Sequence, residues 1–203
     1  MRLLVATHNH GKMLEFQQLL APVHATIRFP GDLGIHLNVI EDGTTYAENA
    51  RKKASAYATA SGLPTLADDS GLEVDALGGA PGIHSARYAS GSDADRVESL
   101  LKSLHGVPCE ERTCRFRCVV VIVTPAGDVH QAEGVCEGRI AFEAAGASGF
   151  GYDPVFYLPD YACTMAQLPP GEKNRISHRA RAVQAALPSL RRLLERKWLG
   201  RDR

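Results

Sequence analysis

Two adjacent carboxylates, Asp68 and Asp69, end a short apolar run in the segment LADDSG. Aspartate is depleted in β-strands, so such a pair marks either a turn or a place where negative charge is used. Adjacent side chains of an extended strand point to opposite faces, so only one of the two can face a given site. We expect Asp69, beside Ser70, to take the open side. Asp68 is then a supporting or turn-capping residue, or a second, water-mediated metal contact.

A metal site would need a second acid from another segment. Mg2+ typically takes one or two carboxylates, keeps several waters and completes its shell with substrate phosphates. Glu41, in the segment VIEDGTTY, lies just ahead of a predicted helix and has a suitable setting. The alternative for this segment is an ordinary polar turn. Glu41 and Asp69 are therefore the predicted metal ligands, with Asp68 as a further candidate.

The segment THNHGK, which begins at Thr7, lies between a predicted buried strand and a predicted helix. The hydroxyl of Thr7, the amide of Asn9 and the ammonium of Lys12 converge there with backbone N–H groups, which makes a suitable anion site. The spacing is not that of a Walker A loop, GxxxxGK followed by Ser or Thr, so an ordinary strand–helix turn is the alternative. For His8 and His10, solvent-facing turn positions are favoured over a metal role.

The glycine-rich segment GFGYDPVF places Phe150 and Tyr152 in a flexible loop. Either ring could stack on a planar base, an interaction worth about 1–3 kcal/mol. The alternative is that the rings anchor the loop in the core. Asp153, which a proline follows, marks a turn and could also fix a ring or contact a ribose.

Three basic residues, Lys173, His178 and Arg179, lie in the segment EKNRISHRARA, at the predicted start of the last helix. When charged they are hydrogen-bond donors only, which suits carbonyl or phosphate oxygens of a ligand. Positive charge at a helix start is unfavourable with respect to the helix dipole. This mismatch favours a binding function for the three residues.

The helices that would position these residues follow from hydrophobic periodicity and capping signals. They are predicted in the segments GKMLEFQQLLA, TTYAENARKKASAYATASG and SDADRVESLLKSLHG, and in a last helix opened by Ser177. In the second of them, Thr45 and Glu48 form a capping box and Gly62 marks the end. Pro188 is expected to kink or divide the last helix.

Strands are predicted in the segments RLLVAT, ATIRF, LPTLADDSG, where the strand ends in a turn, and LEVDAL. The segment TCRFRCVVVIVT turns at PAGD into VHQAEGVCEGRIAF, which predicts a long antiparallel hairpin. This order predicts an α/β fold with a mixed central sheet that contains the hairpin, helices that flank it, and an active cleft between two lobes. Ligands of such sheets gather beyond the strand ends, where the polar loops lie.

Length and composition favour a single domain over residues 1–203, with one sizeable core or two lobes. Lys plus Arg equals Asp plus Glu at 23 each, so the charge gives no reason to expect a nucleic acid partner. Five cysteines without a CxxC pair argue against a zinc site or a disulfide framework. The first apolar run is too short for a signal peptide and no stretch approaches a membrane span, so we expect a cytoplasmic protein without membrane contact.

The polar segments, taken together, closely resemble the inosine triphosphate pyrophosphatase family. The matching segments run from residue 5 to about 182 and are ATHNHGK, EDGTTYAENARKKA, ADDSGLEVDALGGAPGIHSARYA, GFGYDPVF and EKNRISHRARA. The resemblance implies hydrolysis of a small-molecule nucleoside triphosphate to its monophosphate and pyrophosphate, with Mg2+ as cofactor and Mn2+ as a substitute. It implies inosine and xanthine nucleotides, ribo or deoxyribo, as substrates (ITP, dITP and XTP), and a homodimer.

The resemblance also implies roles for individual residues. The turn that holds the substrate phosphates comprises Thr7, His8, Asn9, His10, Gly11 and Lys12. Glu41 and Asp69 hold the metal, and Asp69 also accepts a proton. The other substrate contacts are Ser70, Phe150, Gly151, Tyr152, Asp153, Lys173, His178 and Arg179. A 6-oxopurine has an acceptor where adenine has a donor, so His178 or Arg179 would reject adenine. Guanine shares that oxygen, and its exclusion must involve the 2-amino group.

Three other functions stay open at this point. A phosphatase with an aspartyl nucleophile normally has a D-x-D pattern at its first strand, whereas these acids are adjacent and in mid-chain. A nucleotide sensor without catalysis would need no general base. A Maf-like nucleotide pyrophosphatase would prefer other bases, so substrates must be compared directly.

Overall fold

The structure is a computed structural model that describes residues 2–199, and the side chains of residues 2–193. Within this range a sheet is formed by β1 (Arg2–Val5), β2 (Thr26–Arg28), β3 (Thr65–Val74), β4 (Thr113–Val123), β5 (Val129–Ile140), β6 (Phe156–Leu158) and β7 (Cys163–Thr164). The α-helices are α1 (His10–Leu19), α2 (Tyr46–Ser61), α3 (Asp93–Ser103), α4 (Pro170–Ile176) and α5 (His178–Leu199). Over the described range, no helix combines the length and the apolar character needed to cross a bilayer.

The sheet is mixed, with the strand order β2-β1-β3-β4-β5-β6-β7. β1 pairs in parallel with β2 and β3, whereas β6 pairs antiparallel with β5 and β7. β4 and β5 are neighbours joined by a short turn, in which Thr124 N donates to Asp128 O at 2.9 Å. The predicted α/β class, with a mixed sheet and a long hairpin, is confirmed.

Local capping signals place the helices close to their predicted positions. Thr45 Oγ1 accepts from Glu48 N at 3.1 Å at the start of α2, and the helix ends at Gly62, whose φ is 63°. α5 begins directly after Ser177 and continues through Pro188, so Pro188 does not divide it.

The predicted turn after Asp69 is wrong, because β3 continues through Ser70 and Gly71 as one strand. Leu72 and Val74, in the second half of this strand, are fully buried in an apolar core. Extended backbone brings both side chains into that core, and their burial outweighs the local preference of Ser-Gly for a turn.

The predicted position of Lys173 at the start of the last helix is also wrong. Lys173 belongs to the separate helix α4, which begins at Pro170, where the fixed φ of proline suits the first helical turn. Ser177 is extended, with φ −64° and ψ 156°, and separates α4 from α5. Of the three predicted basic residues, only His178 and Arg179 therefore start α5.

The described chain forms two compact units. The first unit comprises residues 2–69, 118–134 and 179–199, and the second comprises residues 70–117 and 135–178. Each has its own buried apolar core. The first core includes Leu3, Val5, Phe16, Leu66, Val120, Ile122 and Val183. The second includes Leu72, Leu100, Phe116, Tyr152, Phe156 and Met165.

Candidate active site

Three acids of the first unit, Glu41, Asp68 and Asp69, lie close to the same cations, and we call them the acid cluster. The charges of Lys12 and Lys53 act on both Asp68 and Asp69, and Glu41 is near enough to act on Asp69. The acids come from β3 and from the loop before α2. Lys53 thus lies near all three acids, and their role as metal ligands stays a prediction.

Asp68 is 1% exposed and is held by cations through one oxygen. Its Oδ2 accepts from Lys12 Nζ at 2.9 Å and from Arg179 Nη2 at 3.1 Å. Burial by itself would raise the pKa of Asp68, but the charges of Lys12 and Arg179 outweigh it and hold the pKa well below its usual range. The other oxygen, Oδ1, is buried and has no hydrogen-bond partner in the described part of the chain. Asp68 is therefore a carboxylate with one oxygen that no described residue uses.

Arg179 is 1% exposed and bridges two carboxylates of its own unit. Besides Asp68, its Nη1 donates to Glu15 Oε2 of α1 at 2.5 Å. Burial would lower the pKa of Arg179, but the charges of Asp68 and Glu15 outweigh it and raise the pKa. The structure places Arg179 in this ion-pair network, so a contact between Arg179 and substrate stays a prediction.

Asp69 differs from its neighbour because its pKa is raised. It is 9% exposed, and its Oδ2 accepts from Asn49 Nδ2 at 3.0 Å. Burial is the largest cause of the raised pKa, and the charge of Glu41 adds to it. Lys12, Asn49 and Lys53 act in the opposite direction without reversing the shift. A raised pKa makes Asp69 a better proton acceptor than an ordinary aspartate.

Glu41 is paired with Lys53 of α2, whose Nζ lies 2.8 Å from Glu41 Oε1. The Glu41 side chain is 30% exposed and that of Lys53 is 14% exposed. The effect of Glu41 on the pKa of Asp69 indicates two acids at short range. Such a pair is stabilised when a cation lies between the charges.

The turn before α1 holds its shape through its own polar side chains. Asn9 is the N-cap residue of α1, and its Oδ1 accepts from Lys12 N at 2.9 Å. Thr7 Oγ1 accepts from Asn9 N at 3.2 Å. Gly11 lies in the first turn of α1. The predicted strand–turn–helix arrangement is present, and the role of this turn in phosphate binding stays a prediction.

The two histidines of this turn have different surroundings. His8 is exposed, and its Nε2 lies 2.8 Å from the hydroxyl oxygen of the buried Tyr57. That hydroxyl donates to Leu37 O at 3.2 Å, in the loop ahead of Glu41. His10 is exposed at the first position of α1. His8 therefore helps to connect the turn to the loop that carries Glu41.

In the second unit, Phe150, Asp153 and Lys173 form a compact group, which we call the Phe150 group. Lys173 Nζ lies 2.5 Å from Asp153 Oδ2, which also accepts from Phe150 N at 2.9 Å. The same Nζ is 4.7 Å from the centroid of the Phe150 ring. Asp153 is 3% and Lys173 5% exposed. The ring is thus held by a buried ion pair.

Gly149 and Gly151 let the backbone fit this group. Gly149 has φ +78°, and a Cβ there would lie 2.0 Å from Asp153 Oδ2 and 3.2 Å from Lys173 Nζ. Gly151 has φ +63°, and its N–H donates to Asp93 Oδ2 at 2.7 Å. The glycines of the segment GFGYDP are therefore required by close contacts and by backbone conformation.

Two other predicted substrate contacts lie in the core of the second unit. Tyr152 is 5% exposed, and its hydroxyl donates to Ser85 O at 2.9 Å. Of the two interpretations left open by the sequence, the structure favours Tyr152 as a core anchor. His178 is 5% exposed and stacks on Phe116, with ring centroids 4.7 Å apart. Ser70, half-buried in β3, adjoins the acid cluster in sequence.

Sequence reasoning missed three residues that hold the acid cluster. Asn49 binds Asp69, Lys53 binds Glu41, and Glu15 binds Arg179. Asn49 and Lys53 are four residues apart in α2, a spacing that puts both on one helix face. That spacing could have indicated that Asn49 and Lys53 act together. Nothing in the sequence around Glu15 indicates that it pairs with Arg179.

The donor set consists of carboxylates, which suit Mg2+ and Mn2+ better than metals that prefer nitrogen or sulfur ligands. Within the described residues, no group of three or more His, Cys, Asp and Glu side chains could hold a metal ion by itself. Mg2+ needs only one or two carboxylates from the protein when waters and phosphates supply the rest. The pair Glu41 and Asp69 fits that requirement.

Comparison with known proteins identifies relatives along almost the whole chain. The model of the Ham1 family matches residues 3–189. A dITP/XTP pyrophosphatase of Desulforamulus reducens is 50% identical over 195 residues, which are 95% of this chain and 97% of that protein. A second dITP/XTP pyrophosphatase, of Geobacillus kaustophilus, is 48% identical over 183 residues, which are 89% of this chain and 90% of that protein.

A solved structure supports the same assignment. A HAM1 protein of Coxiella burnetii superposes with a TM-score of 0.84 at 38% sequence identity, covering 96% of this chain and 99% of that one. Family model, sequence relatives and structural neighbour agree with the resemblance that the polar segments suggested. The chain belongs to the Ham1 family.

Proposed function

We propose that this protein is a Mg2+-dependent nucleoside triphosphate pyrophosphatase that converts ITP, dITP and XTP to the monophosphate and pyrophosphate. The identity of 50% to a dITP/XTP pyrophosphatase supports the substrate class. The observation that carries the chemistry is the buried carboxylate of Asp69, whose Oδ2 accepts from Asn49 Nδ2 at 3.0 Å and which is near enough to Glu41 for the two charges to interact. A general base and a pair of metal ligands are the two components that this hydrolysis needs.

In this proposal the residues of the first unit act on the phosphates. Mg2+ held by Glu41 and Asp69, with Asp68 as a further ligand, would neutralise phosphate oxygens. Asp69 orients a water and accepts its proton for attack on the α-phosphorus, so that pyrophosphate leaves. No covalent intermediate with the protein is required.

The cations near the acid cluster suit the other phosphate oxygens. Lys12 is 16% exposed at its side chain, and it follows directly on the turn that begins at Thr7. An ammonium and a hydroxyl at a helix N-terminus are suitable donors for a triphosphate tail. Lys12 is paired with Asp68, so phosphate binding would require it to divide its charge between Asp68 and a phosphate.

The proposed recognition of the base uses Phe150, His178 and Arg179. The Phe150 ring, held by Asp153 and Lys173, supplies a surface on which a purine can stack. His178 is the proposed donor to the 6-oxo group, which adenine lacks. Arg179 is proposed to contribute its positive charge to the recognition of that 6-oxo group.

The resemblance to the family further supports a homodimer and a cytoplasmic location. Gel filtration with light scattering would test the first, and cell fractionation the second.

The test is pyrophosphate release from ITP, XTP, dITP, GTP, ATP and CTP in the presence of Mg2+. We expect rapid release from the inosine and xanthine nucleotides and slow release from the others. Equal turnover of ITP, GTP and ATP would contradict recognition of the base. Inorganic phosphate as the first product would favour an aspartyl phosphatase, a preference for CTP a Maf-like enzyme, and absence of turnover a nucleotide sensor.

A further inference from the structure

We propose that Asn49 is a positioning residue that fixes Asp69 relative to the loop carrying Glu41, so that both carboxylates are held ready for one divalent cation. The inference rests on the proposed function above, because that function makes these two acids metal ligands. Asn49 belongs to α2, in the same unit as both acids. Its own side chain would not contact the substrate.

Asn49 connects two parts of the chain through a single buried amide. The residue is 1% exposed. Its Nδ2 donates to Asp69 Oδ2 at 3.0 Å, and its Oδ1 accepts from Gly43 N at 2.7 Å. Gly43 lies two residues after Glu41. One side chain therefore joins the strand that carries Asp69 to the loop that carries Glu41.

The orientation of the Asn49 amide is fixed by chemistry. A backbone N–H can only donate, so the atom facing Gly43 must be Oδ1. The atom facing Asp69 is then Nδ2, which can only donate. An amide held in this way presents a donor to Asp69 Oδ2 and an acceptor to the Gly43 N–H, so it cannot turn over without losing both hydrogen bonds.

The loop approaches Asn49 so closely that only glycine fits at position 43. A Cβ on Gly43 would lie 2.7 Å from Asn49 Oδ1 and 2.8 Å from Glu48 Cβ. The next residue is also tied to α2, since Thr44 N donates to Glu48 Oε2 at 2.7 Å. The loop is thus attached to the first turn of α2 immediately after Glu41.

One face of α2 holds both proposed metal ligands. Asn49 and Lys53 are four residues apart, so they are neighbours on the helix surface. Asn49 binds Asp69, and Lys53 binds Glu41 at 2.8 Å. Partners that hold metal ligands in place commonly change metal affinity or activity by about 10- to 100-fold when they are mutated. A rigid helix with one contact to each acid is suited to fix their separation.

The experiment measures Mn2+ binding to the nucleotide-free protein, with free Mn2+ quantified by electron paramagnetic resonance. Asn49→Leu has a similar volume and no amide, and we expect its Mn2+ dissociation constant to rise at least about tenfold. Thr44→Val is the control, because Thr44 is exposed in the same loop and its hydroxyl donates to Glu48 Oε2, not to Asn49. We expect Thr44→Val to bind Mn2+ as the wild type does.

Turnover of ITP at increasing Mn2+ gives a second readout. If Asn49 acts through the metal ligands, the activity of Asn49→Leu should require about tenfold more Mn2+ and recover substantially at saturation. An Asn49→Leu protein that is folded, as judged by circular dichroism, and binds Mn2+ with wild-type affinity would overturn the proposal.

A measurement on the wild-type protein covers the case in which Asn49→Leu does not fold. In ¹⁵N-labelled protein, the Asn49 side-chain amide and the Gly43 backbone amide should shift together on titration with Mg2+. Absence of a shift in both, with Mg2+ bound, would contradict the inference. The proposed function has a separate test. It fails if the wild type releases no pyrophosphate from any nucleotide, and this outcome does not depend on the Mn2+ and Mg2+ titrations.

Discussion

The acid cluster and the Phe150 group each contain an ion pair between a lysine and a buried aspartate, but the two pairs are built differently. In the acid cluster, Asp68 Oδ2 is shared between Lys12 and Arg179, while Oδ1 has no partner among the described residues. In the Phe150 group, Asp153 Oδ2 receives both Lys173 Nζ and a backbone N–H of its own loop.

The difference indicates which region is arranged for chemistry and which for shape. Glu41 and Asp69 lie close together, and the pKa of Asp69 is raised by burial and by Glu41. Like charges held together favour a function that adds positive charge, such as metal binding. The Asp153–Lys173 pair has compensating charges, and its contacts fix a loop and a ring. We therefore expect substitutions in the acid cluster to change turnover and substitutions in the Phe150 group to change substrate binding.

The largest effect is expected for Asp69→Asn, which removes the proposed base and one metal ligand. Turnover of ITP should fall by at least about 10²-fold, with KM changed far less, because proton transfer by a positioned group contributes about 10²- to 10⁴-fold. Steady-state kinetics at saturating Mg2+ is the measurement. Asp42→Asn is the control, since Asp42 is an exposed acid next to Glu41 that pairs with exposed Lys52. Wild-type turnover in Asp69→Asn would exclude it as the base.

Asp68→Asn should cost about 3 kcal/mol of stability at pH 7, because it leaves the buried charge of Arg179 and the half-buried charge of Lys12 with less compensation. The folded-state pKa of Asp68 lies below its unfolded value. Its stabilising effect is therefore complete above the unfolded pKa of about 3.9, and it is lost as pH falls from there through the folded-state pKa.

Urea unfolding of both proteins between pH 7 and pH 3 measures this difference. The gap in unfolding free energy between the wild type and Asp68→Asn should be constant near neutral pH and should narrow below about pH 4. A gap that widens toward low pH would show that the pKa of Asp68 is raised in the folded protein.

Phe150→Ala should raise KM for ITP by about 5- to 100-fold, with little change in kcat, because base stacking is worth about 1–3 kcal/mol. The control is Phe142→Ala in the same unit, whose ring is 61% exposed and lies next to Arg112. If Phe150→Ala lowered kcat and left KM unchanged, the Phe150 group would affect turnover as the acid cluster does, and the proposed difference between the two groups would be wrong.

The smallest effect is expected for Gly149→Ala. The new Cβ would displace Asp153 from Lys173, and we expect KM for ITP to rise by less than about tenfold, together with about 1–3 kcal/mol of backbone strain. Gly79→Ala separates the two causes, because Gly79 also has a positive φ, +90°, but has no neighbour within 4 Å of its Cβ position. Equal KM values in the two variants would show that the ion pair does not position the ring.

The sequence predicts the local elements well, because their signals lie within a few residues. Thr45 caps α2 and Gly62 ends it, as the capping pattern indicates. The hairpin of β4 and β5 follows from a long apolar strand and a Pro-Ala-Gly turn. The family resemblance was also carried by short polar segments, and the comparisons confirm it.

Errors occurred where distant contacts decide local structure. Ser70 and Gly71 favour a turn locally, but the core around Leu72 keeps β3 extended. For Tyr152 the sequence left base stacking and core anchoring both open, and the structure places it in the core, where its hydroxyl donates to Ser85 O, 67 residues away in sequence. No local pattern contains either fact.

The sequence by itself determined the fold class, the family and the set of polar residues available for the reaction, because periodicity, capping and motif spacing are local properties of the chain. Only the tertiary structure decided how those residues are paired. Asp68 meets Arg179 across 111 residues, and Asp69 meets Asn49 across 20. Burial and the charges of such distant neighbours then give adjacent aspartates opposite pKa shifts, which two identical side chains could not have by themselves.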